Sequence, residues 1–461
     1  MACVKSVENI VFTGNVFSTL SSSVSPTDTT IPVVMVSLFT ASGTVFIDYE
    51  SMSYSGKSGN NLTGVTRGTA GSVAVGHSSG AIVYQNTQSV GQWNGNDNEG
   101  STVHKGQNLS NCVVWGCMAL ADVGTFLEYQ VQYYLDPTNF PLQVAISERW
   151  STGITPIHGV ASVVEFDPAR ALVLSGTVQF SAQSTVTVNL GATVRIDRSF
   201  LCFSLNNAAG ESPRVTDVLG QFVVIGDSAS QIQFTLAGPG TLTLFWFVVE
   251  ATAGDFSVQH VPVTLTSGNL SGTGTIPNAV DPTKTMIMAS WNCTETNIET
   301  SGMDSFIFAL NGTPATSVTA TRPEASSLNG SWTVTMNVEV VTFLDQTTVA
   351  SGTVTIANFG ASGNNYVDAT GIDQLRTALW SPVGSWKSFC DNKVNSGSSG
   401  QQGYQRNSFM QLSFSGSQLN IYNLGSATPL TKLTYQMIQF EIEHADFISA
   451  MPQTGYAFVR E

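Results

Sequence analysis

The sequence predicts an all-β protein, with a small N-terminal β-barrel or β-sandwich module followed by four tandem antiparallel β-sandwich domains. Three observations support this prediction. The 461 residues include 42 glycines and many Val and Thr residues, which suits short strands joined by tight turns. Runs such as TVTVNL and SWTVTMNVEV alternate apolar and polar residues, as half-buried strands do. Three sequence markers also recur along the chain in constant order.

The N-terminal segment, residues 1–87, lacks these markers and is predicted to form the separate module. TTIPVVMV from Thr29 alternates into a strand, and FTASGTVFIDYESMSYSG gives two further runs joined at Ser42–Gly43. LTGVTRG and HSSGAIVYQ bring the number of short strands to about five, enough for a small barrel or sandwich.

The rest of the chain is predicted to form repeats at 88–168, 169–252, 253–343 and 344–448, followed by a tail at 449–461. The first marker is IDRSFLCFS, VDPTKTMIMAS and IDQLRTALWS, with the weaker LSNCVVWGCMAL before them. The third marker opens the later copies as SGTVQF, HVPVTL and SGTVTI. Markers in constant order indicate tandem units that each carry their own strands. We therefore expect fragments that begin near residue 88 or 169 to fold without the N-terminal module.

The second marker is a hydrophobic strand that ends in glutamate. It occurs at Glu165, Glu250, Glu339 and Glu441. Because the glutamate recurs with the repeat, we assign the four residues to equivalent positions. They are expected to serve the architecture, as strand-end contacts to a neighbouring domain, rather than catalysis.

Composition excludes several classes of function. Charged residues make up 11% of the chain, and the net charge is −15 with 17 Lys plus Arg, so a phosphate-binding surface for nucleic acid is not expected. No apolar run reaches the ~18 residues of a membrane span. The six cysteines are spread along the chain and are expected to be buried thiols of a protein assembled in a reducing cytoplasm. The five histidines form no metal-binding motif, so no metal or cofactor is predicted.

The polar residues between Ile47 and Tyr84 are the strongest candidates for a site. Asp48 and Glu50 lie two apart on one strand face, a spacing that permits paired-carboxylate glycoside cleavage, although such pairs are common on solvated strands. The favoured interpretation is structural. Arg67 pairs with Asp48 or Glu50 across the sheet, and the glycines supply turn geometry. The candidate structural motif is Asp48, Glu50, Gly64, Arg67, Gly68 and His77.

Tryptophans divide into two groups by their sequence neighbours. Those within strand runs are expected to anchor cores; they are Trp115, Trp246, Trp291, Trp332 and Trp380. Those near turns are the candidate surface aromatics, able to stack on sugars or pack on another subunit; they are Trp93, Trp150 and Trp386.

The segment from Thr29 to Tyr84 resembles a small β-module that recurs in tailed-bacteriophage virion proteins, often in tail or fibre components. The resemblance lies in IPV, in GTVFIDYESMSYSG, in LTGVTRG and in the later HSSGAIV. It differs from the usual pattern at Tyr49 and in VAVGH before the histidine. It implies a virion component and brings no catalytic residues. The downstream repeats resemble β-domains of phage structural proteins more loosely.

These observations together predict a non-enzymatic structural component of a tailed-phage virion, in a tail fibre or the tail-associated adsorption apparatus. The alternatives are a capsid decoration or collar protein, a lectin-like adsorption protein that binds host polysaccharide, and a depolymerase. The expected partners are other tail or capsid proteins, host surface polysaccharide being a further candidate. The expected location is the virion, after assembly in the bacterial cytoplasm. A closed homo-oligomer is expected because virion parts follow the ring symmetry to which they attach.

Overall fold

The structure is a computed structural model, and it confirms the all-β class. It describes residues 2–11, 15–47, 50–69, 73–86, 91–93, 98–101, 108–120, 129–135, 142–148, 155–207, 218–266, 268–293, 306–321, 333–356, 365–380, 390–392, 411–415, 417–422 and 431–442. Within these ranges the regular elements are β-strands and short 3-10 turns.

The strands are numbered in chain order. The first 86 residues contain β1 (Val4–Val11), β2 (Asn15–Thr19), β3 (Thr30–Pro32), β4 (Gly43–Ile47), β5 (Glu50–Tyr54), β6 (Gly56–Ser58), β7 (Asn61–Thr63), β8 (Thr66–Thr69) and β9 (Ile82–Asn86). Next come β10 (Gly91–Trp93), β11 (Asn98–Ser101), β12 (Cys112–Leu120), β13 (Tyr129–Leu135), β14 (Leu142–Glu148) and β15 (Thr155–Phe166). The second repeat contains β16 (Ala171–Arg195), β17 (Ser199–Asn207), β18 (Val218–Ile225) and β19 (Ser228–Ala251). The third contains β20 (Phe256–Thr266), β21 (Ser271–Val280), β22 (Thr285–Cys293), β23 (Ile307–Gly312), β24 (Ala315–Thr321) and β25 (Thr333–Phe343). The fourth contains β26 (Thr348–Ile356), β27 (Asn365–Asp368), β28 (Thr377–Trp380), β29 (Cys390–Asn392), β30 (Gln411–Ser415), β31 (Gln418–Tyr422) and β32 (Thr431–Gln439).

One antiparallel sandwich topology recurs in the repeats. Repeat 3 pairs its strands in the orders β20-β25-β22 and β21-β24-β23, and repeat 4 has the matching orders β26-β32-β28 and β27-β31-β30. Numbering the six strand positions a to f gives one sheet ordered a-f-c and another ordered b-e-d. Repeat 2 has the same pairing with fused strands: β16 serves as a and b, and β19 serves as e and f. We call the a-f-c sheet the inner sheet.

Repeat 1 follows the same plan, but its position-a strand comes in two parts. β1 pairs with Val160–Phe166 of β15, and β10 pairs with Thr155–Ile157 of the same strand. Both lie on the edge opposite β12, because β12 pairs with Ile157–Glu165 and overlaps both. The ends of β1 and β10 are thus about 10 Å apart along β15 at ~3.3 Å per residue. The N-terminal module is an insertion within this edge strand.

This arrangement corrects the predicted module boundary at 1–87. Residues 4–11 belong to repeat 1, and the module begins with β2. The segment VKSVENIV has no local signal of this pairing, since its partner β15 follows the insertion. Val4 and Val7 are buried in the core that joins the repeats.

The described part of the module contains eight strands rather than the expected five or so. They form a five-stranded sheet, β2-β9-β4-β5-β8, and a three-stranded sheet, β3-β7-β6. Among the described residues, its hydrophobic core is drawn from the module alone, between Leu20 and Val83. The module therefore has a core of its own, separate from those of the repeats.

The four repeats close into a ring. Repeats 1 and 2 pack through β13 and β17, repeats 2 and 3 through β18 and β22, repeats 3 and 4 through β22 and β26, and repeats 4 and 1 through β28 and β15. The inner sheets are consequently buried on both faces, as in β22, where Thr285–Ser290 is a continuous buried run. Such strands read as near-continuous apolar sequence because both faces need apolar side chains.

Aromatic side chains trace this closure at the centre of the ring. Successive ring centroids lie 6.5 Å apart for Trp115–Phe200, 5.5 Å for Phe200–Phe256, 6.1 Å for Phe256–Phe343, 5.7 Å for Phe343–Phe440 and 6.2 Å for Phe440–Trp115. The cycle includes residues of all four repeats. One hydrophobic core therefore joins the first repeat to the last.

Excising the module is expected to leave the ring folded. Replacing residues 15–86 by a short Gly/Ser linker should change the ring's free energy of unfolding by no more than about 1 kcal/mol, mainly through altered closure entropy between β1 and β10. Urea unfolding followed by intrinsic fluorescence measures this change.

The matched fragment that begins at residue 88 loses β1 with buried Val4 and Val7, and burial of each of these side chains contributes about 1.5–3 kcal/mol to stability. The structure therefore revises the expectation that a fragment from residue 88 folds. An excised protein less stable than the truncated one would contradict the insertion.

Candidate functional site

Glu50 is the centre of a buried polar cluster in the module. Its carboxylate is fully buried and accepts hydrogen bonds from Nε and Nη2 of Arg67, each at 2.7 Å. The backbone N–H of Gly68 donates at 2.9 Å and that of Val75 at 3.0 Å. Nε2 of His77 lies 3.0 Å from Oε2. The structure thus brings together three of the polar side chains singled out in the sequence.

The small sheet positions these groups. Glu50 begins β5, and β5 pairs with β8, which carries Arg67 and Gly68. Gly68 has a φ of +62°, a conformation that a side chain disfavours, and this places its N–H on the carboxylate. Gly64 has a φ of +61°, and a Cβ there would overlap Oγ of Ser55. The two glycines therefore supply the turn geometry that the sequence predicts for them.

Arg67 and His77 also tie the module's loops together. Arg67 donates to the carbonyl of Ser25 and, at 2.6 Å, to that of Val75. The backbone of His77 forms a two-way bridge with Val24, each bond 2.9 Å long. The cluster joins three segments that regular strand pairing leaves apart.

The electrostatics of the cluster favour a structural role for Glu50. Burial raises the pKa of Glu50, but hydrogen bonds from Arg67, the Val75 N–H, His77 and the Gly68 N–H outweigh burial and hold the pKa below its ordinary value. A carboxylate that accepts from several donors on both oxygens has little capacity left to act as a base or nucleophile. Asp48, the other half of the candidate carboxylate pair, lies outside the described residues.

The four glutamates of the second marker are not equivalent, which corrects the sequence interpretation. Glu165 pairs with Cys112 and Glu250 with Ser199, the first residues of two position-c strands. Glu339 lies three residues before the equivalent position in repeat 3, which Thr342 occupies opposite Thr285. Glu441 follows the last strand of repeat 4. The sequence pattern of an apolar run that ends in glutamate does not mark the same strand position in every repeat, because the apolar run has a different length in each copy.

Glu339 belongs instead to a set that joins neighbouring repeats. Its Oε2 accepts from the backbone N–H of Leu201 at 2.8 Å. At the equivalent positions, Oε1 of Gln436 accepts from the N–H of Ile287 at 2.7 Å, and Oγ of Ser162 accepts from the N–H of Leu379 at 3.0 Å. Each donor is the third residue of a position-c strand in the preceding repeat. The expected contact to a neighbouring domain thus exists at Glu339.

Sequence reasoning missed Ser162 and Gln436, although a signal was available. The third marker begins at Ser175, His260 and Ser351, which pair directly with Phe247, Glu339 and Gln436. The first residue of this marker therefore lies opposite the strand position that contacts the neighbouring repeat. We call this contact between repeats a joint.

The tryptophans of the strand runs are buried where the structure describes them. Trp115, Trp246, Trp291 and Trp380 are each at most 5% exposed, as expected for core anchors, and Trp332 lies outside the described residues. Among the candidate surface aromatics, Trp93 is located in β10 by its backbone. Its side chain lies outside what the structure describes, as do Trp150 and Trp386 altogether.

The described ranges contain no candidate metal site and no candidate membrane-spanning helix. No group of three or more His, Cys, Asp or Glu side chains there could hold a metal ion. Cys3, Cys112, Cys202 and Cys293 are buried. Burial raises the pKa of the Cys3 and Cys202 thiols far above the ordinary value. No helix in the described part is long and apolar enough to cross a membrane.

Comparison with protein-family models, with curated proteins and with solved structures finds no match for this chain.

Proposed function

We propose that this chain is a non-enzymatic structural component of a tailed-phage virion, in the tail fibre or the tail-associated adsorption apparatus. The observation that carries the proposal is the insertion of a module with its own core into an edge strand of a closed ring. This design separates a body from an attachment unit, and the attachment unit is the segment that resembles phage tail modules.

The chemistry of the module supports a structural role. Glu50, Arg67 and His77 have the residue types of an active site, but their polar atoms hold the module's own segments together. The inner faces of the repeats are likewise buried in contacts within the chain. Surfaces for other tail or capsid proteins, and for further copies of the chain, would therefore be the outer faces of the ring and the module.

Immunogold labelling of purified virions tests the proposal. Antibodies against the isolated module and against the ring should both label the tail or its tip. Labelling confined to the head or the neck would favour the decoration or collar alternative, and absence from the virion would contradict the proposal. Release of reducing ends from host polysaccharide by the purified chain would overturn the non-enzymatic assignment.

A further inference from the structure

The joint between repeats 2 and 3 contains a histidine–carboxylate pair in which the carboxylate is buried and the imidazole is partly buried. His260 on β20 and Glu339 on β25 are direct cross-strand partners, and His260 Nδ1 lies 3.4 Å from Glu339 Oε1. The glutamate side chain is 3% exposed. Its other oxygen accepts from the Leu201 N–H of repeat 2, so the pair belongs to the contact between the repeats.

The geometry around His260 favours a protonated imidazole. Nε2 of His260 lies 2.9 Å from the carbonyl oxygen of Ile196 in repeat 2, and Nδ1 faces the carboxylate of Glu339. Both neighbouring atoms are acceptors, and a neutral imidazole carries one N–H. The imidazolium donates to the Ile196 carbonyl and places its charge beside Oε1 of Glu339, a buried oxygen that has no hydrogen-bond partner among the described residues, whereas the neutral ring would set a nitrogen lone pair against an oxygen.

Among the described residues around it, Glu339 is the charge that faces His260. The 3-10 turn Ile196–Arg198 brings Asp197 and Arg198, but Asp197 pairs with Arg195 and Arg198 with Glu250. β18 contributes the ring of Phe222, 5.4 Å from the imidazole. On β17 the titratable group is the Cys202 thiol, which is neutral because burial raises its pKa.

The equivalent positions at the other joints carry no such pair. They are Ser351 with Gln436, Asn9 with Ser162, and Ser175 with Phe247. Gln436 accepts from the Ile287 N–H and donates back to the Ile287 carbonyl at 2.8 Å, a bonding pattern without an ionisable group. The chain thus contains one joint built on a titrating pair and another with a neutral side chain in the same position.

We propose that His260 and Glu339 form a pH-responsive joint, which holds repeats 2 and 3 together while the imidazole is protonated and loosens when it loses its proton. The electrostatics around His260 agree with this direction of the pH response. Burial lowers the pKa of His260, but Glu339 and the backbone carbonyls of Ile196 and Ser199 outweigh burial and raise it above 6.5. A raised folded-state pKa gives stabilisation that is complete below pH 6.5 and is lost as the pH rises through the folded-state value.

Selective carbon-13 labelling of histidine in the full chain tests the joint by NMR. The His260 signal, assigned through His260→Gln, should titrate above pH 6.5 in the unmodified protein. Glu339→Gln recreates the Gln436 arrangement and keeps an acceptor for Leu201, and it should move the titration to lower pH. The hydrogen-exchange protection factor of the Leu201 amide should fall as His260 deprotonates in the unmodified protein. That of Ile287, at the neutral joint, serves as the internal control and should remain constant.

A His260 titration at or below pH 6.5 in the unmodified protein would overturn the proposal, and this outcome does not depend on whether either variant folds. Equal titration in Glu339→Gln, or Leu201 protection that is constant through the titration, would overturn it as well.

Discussion

Replacing Trp115 with alanine is expected to destabilise the ring by about 3–5 kcal/mol, the usual loss for a buried tryptophan. Trp115 is 1% exposed and lies where three repeats meet. Its ring centroid is 5.0 Å from that of Trp380 in repeat 4, and it also contacts Phe200 of repeat 2 and Phe440 of repeat 4. The cavity would therefore open at two joints at once, and urea unfolding measures the loss.

Trp291→Ala is the matched control for this substitution. Trp291 is fully buried, but the aromatic neighbours described for it, Phe306 and Phe308, belong to its own repeat. Both variants should lose stability. Trp115→Ala should in addition lower the hydrogen-exchange protection of the Leu379 amide at the joint between repeats 4 and 1, and Trp291→Ala should leave it closer to that of the unmodified protein. Identical protection patterns in the two variants would count against a core shared between repeats.

Replacing Glu50 with alanine is expected to destabilise the module by about 3–5 kcal/mol, because it leaves the buried Arg67 guanidinium without its counter-charge. The module excised as residues 15–86 allows this loss to be measured by thermal unfolding without the ring. Asp227→Ala in the full chain removes a carboxylate that is 68% exposed, and it should cost at most about 1 kcal/mol. Equal small losses for both substitutions would contradict the role given to the cluster.

The same cluster predicts an acid dependence for the module. Since the folded-state pKa of Glu50 is depressed, its stabilisation is present above the ordinary glutamate pKa and is lost as the pH falls through the folded-state value. Thermal unfolding of the unmodified module between about pH 6 and pH 3 should show this loss. The Glu50→Ala module should show a weaker dependence.

The sequence predicts the repeats well because they are a local property. Alternation, turn residues and the IDRSF-type marker each lie within a few residues, and the marker corresponds to a 3-10 turn before a position-c strand, as at Ile196–Arg198 and Gln374–Arg376. The closure of the ring depends on contacts between Trp115 and Trp380, which no local pattern specifies. The runs LTLFWFVV and TMIMAS lie in strands of the inner sheets, but their composition does not specify which neighbouring repeat covers them.

In the candidate site too, local contacts could be predicted from the sequence and contacts that depend on the fold could not. Pairing of Arg67 with a carboxylate could be predicted because strands close in sequence tend to be neighbours in a small sheet. The backbone donors Gly68 and Val75 could not, since they depend on the loop path after β8. The hydrogen bonds between repeats could not be predicted, because Ser162 and Gln436 look like ordinary strand residues until the repeat that packs against them is known.

The central claim, that four repeats close into one ring within a single chain, is tested most directly by a nuclear Overhauser effect between the indole protons of Trp115 and Trp380. Tryptophan-selective protonation in a deuterated background, with assignment by Trp380→Phe, isolates the contact. The ring predicts a cross-peak, because the indole centroids lie 5.0 Å apart. A linear string of repeats would keep the first and fourth repeats apart, and absence of the cross-peak in the folded protein would contradict the closed ring.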